Sequence, residues 1–132
     1  MDLASAQAFA TRYTAAWCSQ DPTQVASFFA EGGSLTINAA PPSVGRAAIA
    51  ADARGFMSAF PDLAIHMDSV EPRGSGYVYR WTLTGINSGP GGTGNRVRIS
   101  GYEEWTMDAD GLISTSLGHY DEADYARQVQ RR

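Results

Sequence analysis

The chain has 132 residues, the common size of one domain and long enough to bury a core. Its 43% apolar and 18% charged content excludes a disordered chain, and its longest apolar runs fall far short of the ~20 residues of a membrane-spanning helix. The net charge of −4, without clustered lysine or arginine, excludes a nucleic-acid binder working by counterion release.

Residues 2–20 read as an amphipathic helix, because Ala6, Phe9, Tyr13 and Trp17 fall on one face at three- and four-residue steps. Asp21, Pro22 and Gln24 form a restart signal in which Asp21 caps, Pro22 opens the helix and Gln24 reaches back. Val25, Phe28 and Phe29 then predict a short second helix ending near Gly32 and Gly33. Ser34 to Asn38 is a brief β-prone stretch before the Pro41-Pro42 loop. A third helix opens near Gly45-Arg46, carries Ile49, Phe56 and Phe60 on one stripe, and closes at Pro61.

From there the apolar period changes to two. Leu63, Ile65 and Met67 alternate with His66 and Asp68, and Tyr77, Tyr79, Trp81 and Leu83 alternate with Val78, Arg80 and Thr82. Gly89 to Gly94 is a flexible connection. Val97–Met107 and Leu112–Tyr120 predict two more strands around a tight turn at Asp108 to Gly111. Asp121 and Asp124 open a last helix bearing Tyr125 and Val129. Helices segregated from a run of four hairpin-ordered strands define an α+β domain with a curved antiparallel sheet.

The single cysteine, Cys18, has no internal partner and reads as a small buried hydrophobe. With an N-terminus lacking the pattern of a signal peptide, it predicts a cytoplasmic protein. Two histidines without nearby cysteine or acidic spacing make no metal signature, and no phosphate-binding loop appears, so no cofactor is implied.

Three segments carry a resemblance. They are Arg12 to Trp17 with Asp21 and Phe28 to Glu31; Phe60 to Leu63 with Arg80 to Gly85; and Gly94 to Val97 with Ser100-Gly101, Asp110 to Ile113, Tyr120-Asp121 and Arg127 to Val129. In this order they resemble the SnoaL-like branch of the nuclear transport factor 2-like superfamily, relatives of ketosteroid isomerases and polyketide cyclases. The resemblance implies one SnoaL-like domain over residues 1–132. It also implies a cone-shaped sheet, with about three N-terminal helices closing a pocket. Fold of this kind does not fix function.

Strand alternation turns Tyr79, Trp81, Leu83, Gly101, Glu103, Trp105, Met107, Ser116, Gly118 and Tyr120 inward. Arg80, Thr82, Tyr102, Glu104, Thr106, Leu117 and His119 then face outward, with Arg80 paired to Glu104 across strands. The position matching Glu103 in ketosteroid isomerases holds an acid kept protonated by apolar surroundings, and Tyr13 matches the tyrosine that shares its oxyanion hole. Glu103 and Tyr13 are therefore the candidate catalytic residues, against the plainer readings of a structural carboxylate and a core tyrosine. Trp17, Asn38, Phe56, Tyr79, Trp81, Trp105, Ser116, Gly118 and Tyr120 are the candidate pocket.

The resemblance breaks at the base. Thr36, Ile37 and Asn38 occupy the stretch of the isomerase aspartate, and Gly118 and Trp105 replace the cyclase aspartate and histidine. His66 and Asp68 read as outer-face residues, and Asp121 beside His119 has a structural use as a helix cap. The expected function is a small-molecule pocket for a mostly apolar cyclic ligand, with acid-assisted isomerisation, cyclisation or dehydration as its chemistry. The alternative is a non-catalytic binding module or a homodimer formed through the outward Val78, Tyr102 and Leu117; a water-activating hydrolase lacks a base–acid pair.

Overall fold

The apolar stripe of the first helix, α1 (Leu3–Cys18), buries Ala6, Phe9, Ala10, Tyr13 and Ala16 in a computed structural model that describes residues 1–131. Asp2 starts it by accepting a hydrogen bond from the Ser5 backbone N–H at 2.8 Å. Helix α2 (Pro22–Ala26) is one turn long, capped by Asp21 through the Thr23 N–H at 3.0 Å, and the Gln24 side chain makes no bond back to the cap. The sequence expectation of a second helix running to near Gly32 and Gly33 is corrected here. Strand β1 (Phe29–Ile37) already begins at Phe29, whose partner is Ile113 on a distant strand.

A two-residue strand β2 (Ser43–Val44) leads into α3 (Arg46–Ala59), which buries Ile49, Ala53 and Met57. Four strands follow, β3 (Ala64–Arg73), β4 (Gly76–Ile86), β5 (Arg96–Met107) and β6 (Ile113–Tyr120), then α4 (Glu122–Gln130). The sheet order is β2-β1-β6-β5-β4-β3, open and curved, with helices on one face. All pairings are antiparallel except β1 with β6, which run parallel. The expected curved antiparallel sheet is found in the four hairpin-ordered strands β3 to β6, and β1 adds to it in parallel because the chain returns from β1 to β6 through the rest of the domain rather than through a hairpin.

Pairing register builds the site. Tyr77, Trp105 and Ser116 form one inward row across β4, β5 and β6; Tyr79, Glu103 and Gly118 form the next; Trp81, Gly101 and Tyr120 form the third. The core beneath α1 joins Phe9, Tyr13, Phe29, Tyr79 and Trp105, while a second apolar cluster of Phe60, Leu63, Leu83, Val97 and Ile99 lies under α4. Helix α4 buries no residue fully. The Gln128 side chain holds it down, accepting from the Arg98 N–H at 2.7 Å and donating to the Arg98 carbonyl at 2.8 Å.

The outer face differs from expectation in three places. Val78 is only 3% exposed; it stands between Glu71 and Glu104 in register, and Glu104 pairs with Arg73 at 3.7 Å. Arg80 pairs with Glu71 at 3.9 Å and lies over the Tyr102 ring, not beside Glu104. Thr82 is buried in a polar ladder with Asp68 (2.7 Å) and Ser100 (2.8 Å). Cys18 is exposed rather than buried, since α1 ends beside edge strand β3; its thiol accepts from the Ile65 N–H at 3.3 Å. Among the described residues no helix is long and apolar enough to cross a membrane.

Candidate functional site

Glu103 is the centre of a polar cluster inside an aromatic core. It lies on β5 in the middle inward row, and the residue is 7% exposed. Oε1 accepts three hydrogen bonds: from Tyr13 Oη at 3.0 Å, Trp105 Nε1 at 3.0 Å and Ser116 Oγ at 2.8 Å. Tyr13 Oη also stands 3.1 Å from Oε2, so its single proton is shared between the two oxygens, and among the described residues no other donor reaches Oε2. An indole N–H can only donate, so Oε1 is fixed as an acceptor and a proton on this carboxyl belongs on Oε2.

The Trp105 and Tyr13 rings are held by packing. Trp105 stacks on Tyr79 with centroids 4.9 Å apart and meets the edges of Phe9 and Tyr13 at 5.5 and 5.3 Å. Tyr79 in turn shares a hydrogen bond of 2.5 Å with Thr14 of α1. Burial pushes the Glu103 carboxyl above its ordinary pKa, and the hydrogen bonds from Trp105, Ser116 and Tyr13 pull partly back. Among the described residues no cationic side chain pairs with it. Burial, then the charge of Glu103, raises the Tyr13 phenol well above its ordinary value, and burial raises Tyr79, Tyr120 and Tyr125 as well. None of these phenols supplies a base near neutral pH.

Beside this cluster lies a partly open cavity of about 60 Å³ with an almost wholly apolar surface. Of the residues expected there, Trp17, Phe56, Tyr79, Trp81, Gly118 and Tyr120 line it, together with Glu103. Tyr13, Trp105 and Ser116 do not; they stand behind Glu103 as its donors. Asn38 is also outside the lining. It adopts a left-handed backbone (φ 53°) just past β1, accepts from the Tyr120 N–H and donates to Glu122.

Sequence reasoning missed Tyr125, whose ring lines the cavity and meets Phe56 and Tyr120 at centroid distances of 6.4 and 5.7 Å. The signal was its place on the apolar side of α4 with Val129. Leu35, Ile37, Ile65 and Ile99 were equally unassigned and follow from the same inward parity. His119 borders the cavity, but its imidazole is on the outer face, 2.8 Å from Glu104 and stacked on Tyr102. It makes no dyad with Asp121, which caps α4 through the Asp124 N–H. Among the described residues no three potential metal ligands converge.

The SnoaL-like domain family matches residues 10–115. The chain belongs to that family. No curated protein matches its sequence. Solved structures with the same SnoaL-like architecture include TsrD from Streptomyces laurentii, at 22% identity and a TM-score of 0.83, covering 100% of this chain and 99% of that one. AclR from Streptomyces galilaeus, a candidate hydroxylase, has 21% identity and a TM-score of 0.82, with 99% and 84% covered. A Catenulispora acidiphila protein of ketosteroid isomerase-like fold, solved with trimethylamine, has 15% identity and a TM-score of 0.80, with 92% and 91% covered. At these identities the likeness is one of fold, so the chemistry of this SnoaL-like protein has to come from its own side chains.

Proposed function

We propose that this SnoaL-like protein binds a small, mostly apolar, ring-containing molecule in the aromatic cavity and presents to its carbonyl or hydroxyl oxygen the neutral carboxylic acid of Glu103. The observation that carries this reading is a carboxyl buried on the cavity wall with no cation beside it among the described residues, whose neighbours Trp105 and Ser116 both donate to Oε1 and leave Oε2 to share the one Tyr13 proton. A neutral acid there donates from Oε2 to a ligand oxygen, and Tyr13 positions it from behind. Such a donor stabilises negative charge growing on a carbonyl oxygen, which suits acid-assisted isomerisation, cyclisation or dehydration.

The cavity of about 60 Å³ is smaller than the ~150 Å³ that holds benzene in an apolar core. A ring therefore enters by displacing lining side chains, Tyr125 first, because α4 buries none of its residues. Titrating cyclohexanone into the protein, with the Trp17, Trp81 and Trp105 indole N–H resonances as reporters, tests the reading. Saturable shifts support it, and unmoved indoles at millimolar ketone refute it.

The second reading is binding without catalysis. It is favoured by the absence, among side chains lining the cavity, of any base active near neutral pH, since His119 turns its imidazole away. The protein is further proposed to be cytoplasmic and to pair as a homodimer through the outer sheet face. Leu117 (41% exposed) and the stacked Tyr102–His119 pair offer surface for that contact. A monomer by light scattering at micromolar concentration would remove the dimer.

A further inference from the structure

Gly118 is a buried strand residue that neither its backbone nor its packing requires to be glycine. Its φ lies outside the left-handed region. A Cβ placed there would meet only the Thr36 carbonyl oxygen at 3.4 Å and Glu103 Cγ at 3.9 Å, both ordinary contacts. Gly101, in the adjacent inward row, is different: its Cβ would stand 2.3 Å from the His119 carbonyl oxygen and 2.6 Å from the Trp81 indole. Glycine in a strand interior is unfavourable relative to alanine, through backbone entropy and the lack of a packing side chain. That cost at position 118 has no local structural return.

What glycine does leave there is space. Gly118 is paired directly with Glu103 on β5 and with Ile37 on β1, and all three border the cavity. The missing side chain makes a methyl-sized notch against the stem of the acid, closed on one side by the Trp81–Gly101–Tyr120 row and on the other by Trp105 and Ser116.

We infer that Gly118 is a specificity-determining residue whose notch receives the oxygen-bearing carbon of an unhindered cyclic ketone or phenol. This rests on the small-molecule reading above and narrows it. Carbons flanking the oxygen must be unbranched, because the notch admits one carbon's width beside Ile37.

The test compares the native protein with Gly118→Ala, using cyclohexanone and 2,2,6,6-tetramethylcyclohexanone as probes, the Trp105 Nε1–H resonance as reporter and thermal melting as the control for folding. Cyclohexanone is expected to bind native protein, to bind Gly118→Ala at least about tenfold more weakly, as one methylene in a pocket can do, and to leave the melting temperature of the variant equal or higher. The tetramethyl ketone is expected to bind neither. Equal cyclohexanone affinity in the variant, binding of the hindered ketone to native protein, or a variant that melts well below native or fails to fold overturns the inference while leaving the general pocket in place. No binding of cyclohexanone to native protein overturns both.

Discussion

Replacing Glu103 by leucine and by glutamine separates what the carboxyl accepts from what it titrates. Leucine leaves the Trp105 Nε1–H, the Tyr13 hydroxyl and the Ser116 hydroxyl without their common acceptor. The two hydroxyls can rotate toward other partners, but the indole is clamped by Phe9, Tyr13 and Tyr79. An orphaned buried donor costs about 1–3 kcal/mol, so with the hydroxyls partly re-satisfied Glu103→Leu should destabilise by about 3 kcal/mol. At this chain length that lowers the melting temperature by about 10 °C. Glutamine keeps the acceptor oxygen and should stay within about 1 kcal/mol of native.

The pH dependence has a definite sign. The folded-state pKa of Glu103 is raised above its ordinary 4.5, so the folded state holds the proton more tightly than the unfolded state. Its contribution is fully present below 4.5 and is lost as pH rises through the raised value, with a slope of at most about 1.4 kcal/mol per pH unit. Urea unfolding of native protein, Glu103→Leu and Glu103→Gln across pH 4 to 8 reads both effects. Glu103→Gln should remove the part of the native slope that falls above pH 4.5. A leucine variant as stable as the glutamine variant, or a native slope in that window that glutamine leaves unchanged, would refute the reasoning.

Tyr13→Phe removes one donor whose hydrogen bond holds the Glu103 pKa down. It should raise the carboxyl midpoint further, seen by carbon NMR titration, and cost about 1 kcal/mol in unfolding. Gly101→Ala forces a Cβ into the His119 carbonyl and the Trp81 ring, so it should lose about 1–3 kcal/mol in denaturant melts. Gln128→Ala cuts both bonds from α4 to the Arg98 backbone and should speed amide exchange in α4 while the β4–β5 amides keep native protection.

The inward face of the sheet was legible because β4, β5 and β6 keep strict two-residue alternation through the rows that hold Tyr79, Glu103 and Gly118. The start of β1 was not. Phe28-Phe29 is a short apolar pair after a helix cap, and only its parallel partner Ile113, far along the chain, makes Phe29 a strand residue. The irregular register between Met67 and Ser69, like the exposure of Cys18, also depends on edge-strand contacts that alternation does not encode. At the site, the pattern placed Glu103 among rings but could not tell lining from support. Trp105 and Ser116 share its parity, yet they spend their polar atoms on Glu103, and Asn38 spends its own on β6 and α4.

The most direct measurement is the carbon NMR titration of the Glu103 carboxyl with and without saturating cyclohexanone. A neutral acid that donates to a ligand oxygen has a midpoint above 4.5 that moves higher when the ketone is bound. A midpoint at the ordinary glutamate value, or a raised one indifferent to the ketone, would mean that the carboxyl serves only its tyrosine, tryptophan and serine neighbours.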